Sequence, residues 1–131
     1  MELLTIKSLE KHQKNLREIN ELKQTKDALL TYRNELPPNE ATLISELSAD
    51  IVSLENKISQ KSSDIIKSGK AVQNSISFIQ DEVTATVARL HYVSGLTWTE
   101  IAYKLHLGSE KNVKERFYRH YRKTLLNEKG Q

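Results

Sequence analysis

Apolar residues recur three and four positions apart along almost the whole chain, and no stretch alternates apolar with polar residues as a half-buried strand would. That spacing lines up side chains on one face of an α-helix, so the expected fold class is all-α. A first long amphipathic helix is expected over about residues 3–34, with Leu9, Leu16, Ile19, Leu22, Leu29 and Leu30 amid dense charge in an imperfect heptad. The sequence Pro37-Pro38-Asn39 stops it, because proline supplies no amide, and Asn39 is placed to cap the second helix. A cleaner heptad comes next: Ile44, Leu47, Ile51, Leu54, Ile58 and Ile65 form a coiled-coil seam broken only by Lys61. So narrow a stripe needs a cover, either the first helix in an antiparallel hairpin, or another subunit, or both. Those six residues are therefore the candidates for oligomerisation.

Gly69 in "KSGK" suits a helix end, after which Val72, Ile76, Ile79, Val83, Val87 and Leu90 continue the helical spacing to Gly95, with a bend near "QDE". The expected organisation is a helical arm over 1–69, a connecting helix over 70–81 and a C-terminal domain over 82–131.

The last third is the most structured in its signals. In "TWTE", Thr97 can bond the amide of Glu100 while the Glu100 side chain reaches back, which is a capping box. Trp98, Ile101, Ala102 and Leu105 then make one apolar stripe on a helix of barely two turns, too short to stand without neighbours. Ser109 opens a second, longer helix. At about 100° per residue, Phe117, His120 and Thr124 fall close to Val113, while Lys111, Lys114, Glu115, Tyr118, Arg119 and Arg122 spread over the other side. Tyr103 and Tyr121 flank these stripes and Trp98 belongs to one, so all three are expected in or at the edge of the core. Leu125 and Leu126 lie off the Val113 stripe, where exposure would favour docking on the arm or on a second subunit.

Charge sharpens this picture. The net charge of the 131-residue chain is +3, and residues 1–80 are balanced, whereas residues 104–123 carry seven basic side chains against two acidic ones. An ordinary solvated helix face mixes both signs; this one is a basic patch at one end of the chain, as expected of a module that binds a polyanion. A short capped helix, a tight turn and a longer helix with a basic outer face form a helix-turn-helix arrangement, whose second helix enters the DNA major groove.

"LHYVSGLTWTEIAYKL", Leu90 to Leu105, resembles the pattern L-x-Y-x-x-G-L-[ST]-x-x-E-I-A-x-x-L of sigma-factor region 4-like helix-turn-helix domains. It is particularly similar to phage-encoded transcriptional regulators of the ArpU/RinA type, which join a helical N-terminal arm to such a domain. The resemblance implies a sequence-specific regulator that binds double-stranded DNA, and it permits a contact with RNA polymerase; with the coiled-coil seam, the expected particle is a homo-oligomer, a dimer or tetramer, and the expected compartment is the cytoplasm. It implies that Lys111, Asn112, Glu115 and Arg116 meet base edges and that Lys114, Arg119, Arg122 and Lys123 meet phosphates, the outward wheel positions excluding Arg116. Arg and Lys donate to guanine or phosphate, Asn pairs with adenine and Glu accepts from cytosine. Tyr118 would bond phosphate or lie on sugar, or else pack between monomers. One departure stands out: the family has Gly where His106 stands, and "HLGSEKNV" is one residue longer, with Gly108 in place to make the turn.

Other classes find little support. The chain has no Cys, which excludes disulfides, thiol nucleophiles and Cys-ligated zinc, and fits a reducing compartment. His12, His91, His106 and His120 show no metal-ligand spacing, no glycine-rich phosphate loop occurs, and no nucleophile has a base beside it, so neither catalytic residues, a cofactor nor a metal is expected. No apolar run reaches a membrane span, and "MELLTIKSLEK" lacks the pattern of a signal peptide. The rival reading is a phage small-terminase-like packaging or structural oligomer, which also joins a helix-turn-helix to helical oligomerisation elements.

Overall fold

The computed structural model describes residues 2–129; Met1, and Gly130 and Gln131 at the end of the expected C-terminal domain, lie outside the described residues. Among the described residues the chain is all-α, with five helices and no strand: α1 (Ile6–Glu35), α2 (Ala41–Ser77), α3 (Glu82–Tyr92), α4 (Trp98–Leu105) and α5 (Glu110–Lys129). It forms two compact units, Asn15–Ile66 and Met1–Lys14 with Lys67–Gln131.

In the Asn15–Ile66 unit, α1 ends before the two prolines and α2 starts at Ala41. Glu40, one residue past the expected cap Asn39, has the N-cap position, its carbonyl accepting from the Ile44 amide at 3.0 Å. The two helices run antiparallel side by side: Arg33 donates to Ser48 at 3.1 Å near the turn, and Lys61 pairs with Glu18 further along. The Glu18 pairing accounts for the one polar residue in the α2 stripe. Ile19, Leu47 and Ile51 are buried, while Ile44, Leu54, Ile58 and Ile65 are half-buried. Val52 and Ile66 stay exposed, Ile66 to 78%.

The other unit has a different membership from the one expected. Gly69 does not end the helix; α2 continues to Ser77 and breaks over residues 78–81 instead. A glycine inside a helix costs roughly 1 kcal/mol relative to alanine, a small term beside burial of Val72 and Ile76 on the following turns. The start of the chain belongs here too. Thr5 caps α1 by accepting from the Ser8 amide at 3.1 Å, and the extended residues before it are tied down: the Leu4 amide donates to Ser75 at 2.9 Å, the Leu3 amide to Glu128 at 3.2 Å, and the Tyr121 hydroxyl to the Leu4 carbonyl. Leu9 is fully buried with Val72, Ile76, Ile79, Val87, Tyr92, Ile101, Val113, Phe117 and Tyr121 in one core. Burying side chains of this size removes them from water at about 1.5–3 kcal/mol each. That scale explains why the two-turn α4 holds together only in this company.

Candidate nucleic-acid interface

α4 begins as its sequence requires. Thr97 Oγ1 accepts from the Glu100 amide and Glu100 Oε1 accepts from the Thr97 amide, both at 3.1 Å, so the capping box is complete. Trp98, Ile101 and Ala102 are buried and Leu105 is half-buried. The helix closes with His106 in the left-handed conformation, φ 54°, and the Leu107 amide returning to the Ala102 carbonyl at 3.0 Å. Gly108 also has positive φ, 86°, so the turn uses two left-handed residues. Ser109 then caps α5, accepting from the Asn112 amide at 3.2 Å, and the Thr99 hydroxyl donates to Glu110 at 3.2 Å between the starts of α4 and α5.

The inner face of α5 consists of Val113, Phe117 and Tyr121, four residues apart and all buried. Its roll differs from the expected one: His120 and Thr124 are only half-buried, whereas Tyr121, expected at the edge, is fully enclosed, stacked on Phe117 with ring centroids 5.4 Å apart. Tyr103 departs further. Expected at the core edge, it is 84% exposed, pointing away from the α4 stripe. Leu125 packs against the core, and Leu126 is exposed.

The outer face carries Lys111, Asn112, Lys114, Glu115, Arg119, Arg122 and Lys123, all exposed. Lys111 and Glu115 are 4.0 Å apart, a solvated i,i+4 pair that contributes little energy. Lys114 and Arg122 lie 5.9 Å and 5.7 Å from the centre of the Tyr118 ring, within range of a cation–π attraction. Five basic groups thus share one face of α5 with one carboxylate. Among the described residues, Lys114, Arg119, Arg122 and Lys123 have no carboxylate within ion-pair distance.

Two residues are engaged inside the fold instead. Arg116 donates through Nη2 to Asp81 at 2.9 Å and through Nε to Thr84 at 3.2 Å, so it clamps α5 to the start of α3. Asp81 is also the N-cap of α3, accepting from the Thr84 amide and hydroxyl at 3.0 Å and 2.6 Å. Those Thr84 bonds, and then the Arg116 guanidinium, hold the Asp81 carboxyl well below the usual carboxylate range. Tyr118 is half-buried, its ring edge on Trp98 with centroids 6.2 Å apart, and its hydroxyl donates to Glu10 at 2.8 Å. Burial, and then that bond to Glu10, push the Tyr118 phenol up to about 12.

Glu10, Asp81 and His91 take places here that the apolar and charge patterns of the chain do not point to. His91 is buried, its ring stacked on Trp98 at 3.7 Å and its Nδ1 donating to the Leu96 carbonyl at 2.7 Å, which leaves Nε2 facing Glu10 at 4.0 Å. Only Asp81 left a signal, as an acid three residues before Thr84 at the start of an apolar stripe. Among the described residues no group of three His, Cys, Asp or Glu could hold a metal ion, and no helix is long and apolar enough to cross a membrane. Comparison with protein-family models, curated proteins and solved structures finds no match to this chain.

Proposed function

We propose that the chain is a sequence-specific DNA-binding transcriptional regulator, of the phage- or prophage-encoded kind that its Leu90–Leu105 motif resembles. On this reading α4, the turn and α5 are the helix-turn-helix, and the antiparallel pair in the Asn15–Ile66 unit is the oligomerisation arm. The observation that carries the reading is the outer face of α5, where Lys111, Lys114, Arg119, Arg122 and Lys123 are exposed opposite a buried Val113–Phe117–Tyr121 face. An α-helix about 10–12 Å across fits the major groove, about 12 Å wide, with such a face toward phosphates and base edges.

Lys111, Asn112 and Glu115, in the first turns of α5, are assigned to base edges; Lys114, Arg119, Arg122 and Lys123 are assigned to phosphates. Tyr118 supports two of those cations rather than offering its hydroxyl to DNA, and Arg116 serves the fold. Half-buried Leu54 and Ile58 and exposed Val52 and Ile66 leave apolar surface on α2 for a second copy. Two basic faces in one particle would add their phosphate contacts and set the half-site spacing.

The test is mass in solution by light scattering, alone and with short duplexes from the DNA upstream of the protein's own operon. A dimer or tetramer that binds one duplex over others, and releases it as salt rises, supports the regulator. A large ring points to a packaging role, and a particle that ignores DNA at low salt removes the DNA assignment altogether.

A further inference from the structure

Residues 3–10 strap α5 along one side. They meet it at Tyr118, Tyr121 and Glu128, through the Glu10 carboxylate, the Leu4 carbonyl and the Leu3 amide. The strongest of these points is Glu10. Its Oε1 accepts the Tyr118 hydroxyl from α5 and the Tyr92 hydroxyl from α3, each at 2.8 Å, while Oε2 faces His91 Nε2 at 4.0 Å. Burial raises the Glu10 carboxyl, but the imidazole of His91 and the hydroxyls of Tyr118 and Tyr92 outweigh it and hold the group below its usual value. The acceptor is therefore a carboxylate at neutral pH, and hydrogen bonds to an ionised acceptor are about twice as strong as neutral ones.

We propose that Glu10 is a positioning residue for DNA binding: through the Tyr118 hydroxyl it fixes the aromatic ring on which Lys114 and Arg122 lie. The inference rests on the proposed DNA-binding face and adds a residue from the opposite end of the chain to it. With its hydroxyl held by Glu10 and its edge on Trp98, the Tyr118 ring has one orientation, and the two cations at i−4 and i+4 are drawn to its face. Releasing the hydroxyl frees the ring and lets both cations spread over more rotamers, which must then be reordered on DNA.

A double-mutant cycle in the full chain tests this, with duplex affinity measured at a temperature where circular dichroism shows every variant fully helical. Glu10→Ala and Tyr118→Phe should each weaken binding, by about tenfold for reordering two rotamer-rich cations on DNA, and the double variant should bind no worse than either alone. Glu10→Gln, which keeps an acceptor oxygen but not its charge, should lose less affinity than Glu10→Ala. Additive losses would mean that the Tyr118 hydroxyl touches DNA itself, and wild-type affinity in a folded Glu10→Ala protein would remove the role of Glu10; either overturns the proposal. If Glu10→Ala does not fold, Tyr118→Phe binding as tightly as wild type overturns it equally. Amide exchange over residues 114–122 in the DNA-free proteins separates this from the DNA reading. Should the wild type bind no duplex, faster exchange in Tyr118→Phe still supports positioning of α5 by Glu10, and unchanged exchange rejects it.

Discussion

Removing Arg119 and removing Arg116 should have opposite signatures, although both are arginines on the same helix three residues apart. Arg119 is exposed with no ion-pair partner among the described residues, so nothing in the fold depends on its charge. Arg116 is two-thirds buried and holds Asp81 and Thr84. If four of the five exposed cations on α5 meet phosphates, each chain releases about 3.6 counterions, since each phosphate neutralised contributes about 0.9 to the slope of log K against log salt. A dimer then has a slope of roughly −7, and its affinity falls by about four orders of magnitude between 50 and 200 mM salt.

Arg119→Ala deletes two contacts per dimer and should bring the slope to roughly −5.4, weakening binding on every sequence alike. Arg116→Ala should lower the unfolding temperature and leave the slope near its wild-type value. Fluorescence anisotropy of a labelled duplex over a salt series, beside thermal denaturation, reads both quantities. A slope near zero in the wild type, or an unchanged slope in Arg119→Ala with a reduced one in Arg116→Ala, would refute the assignment of the two arginines.

Three further outcomes are expected. Gly69→Ala should stabilise the protein by about 0.5–1 kcal/mol in denaturant unfolding, because the position is helical and an added Cβ would meet only His12 Cε1 at an ordinary 4.0 Å; destabilisation would contradict the continuous α2. His106→Gly should also stabilise, by about 0.5–1 kcal/mol, since a left-handed residue with a Cβ costs roughly 1–2 kcal/mol and glycine's extra chain entropy returns part of that; a loss would mean that the His106 side chain makes a contact worth more than its strain. Alkaline titration should show Tyr92, Tyr118 and Tyr121 ionising above the usual tyrosine range, all three raised first by burial. Because their folded pKa values are raised, the stability they contribute is fully present below the ordinary phenol pKa of about 10 and is lost as pH climbs through the folded values, about 12 for Tyr118. Phenolate absorbance followed with helix content checks this, and ionisation of all five tyrosines near their ordinary pKa with the helices intact would contradict it.

Signals carried by near neighbours in the chain were legible before any fold was known. The capping box at Thr97 and Glu100, the cap at Ser109, the stop at Pro37-Pro38 and the apolar stripe of α4 depend on residues three or four apart, and each lies where the pattern puts it. The outward set on α5 was legible for the same reason, since helical geometry alone separates Lys111, Lys114 and Arg119 from Val113 and Phe117. Tertiary packing decided the rest. The roll of α5 encloses Tyr121 in the core, its hydroxyl on the Leu4 carbonyl more than a hundred positions away in sequence, and leaves His120 half-buried. Gly69 reads as a helix end until the burial of Val72 and Ile76 outweighs its propensity. Arg116 reads as one more cation of the basic face until Asp81 reaches it. The apolar spacing of residues 3–14 says that they need a partner but not which one, because hydrophobic burial has no direction and accepts any apolar surface. Only the assembled core shows that these first residues pack with α3, α4 and α5, where Glu10 meets the helix proposed to read DNA.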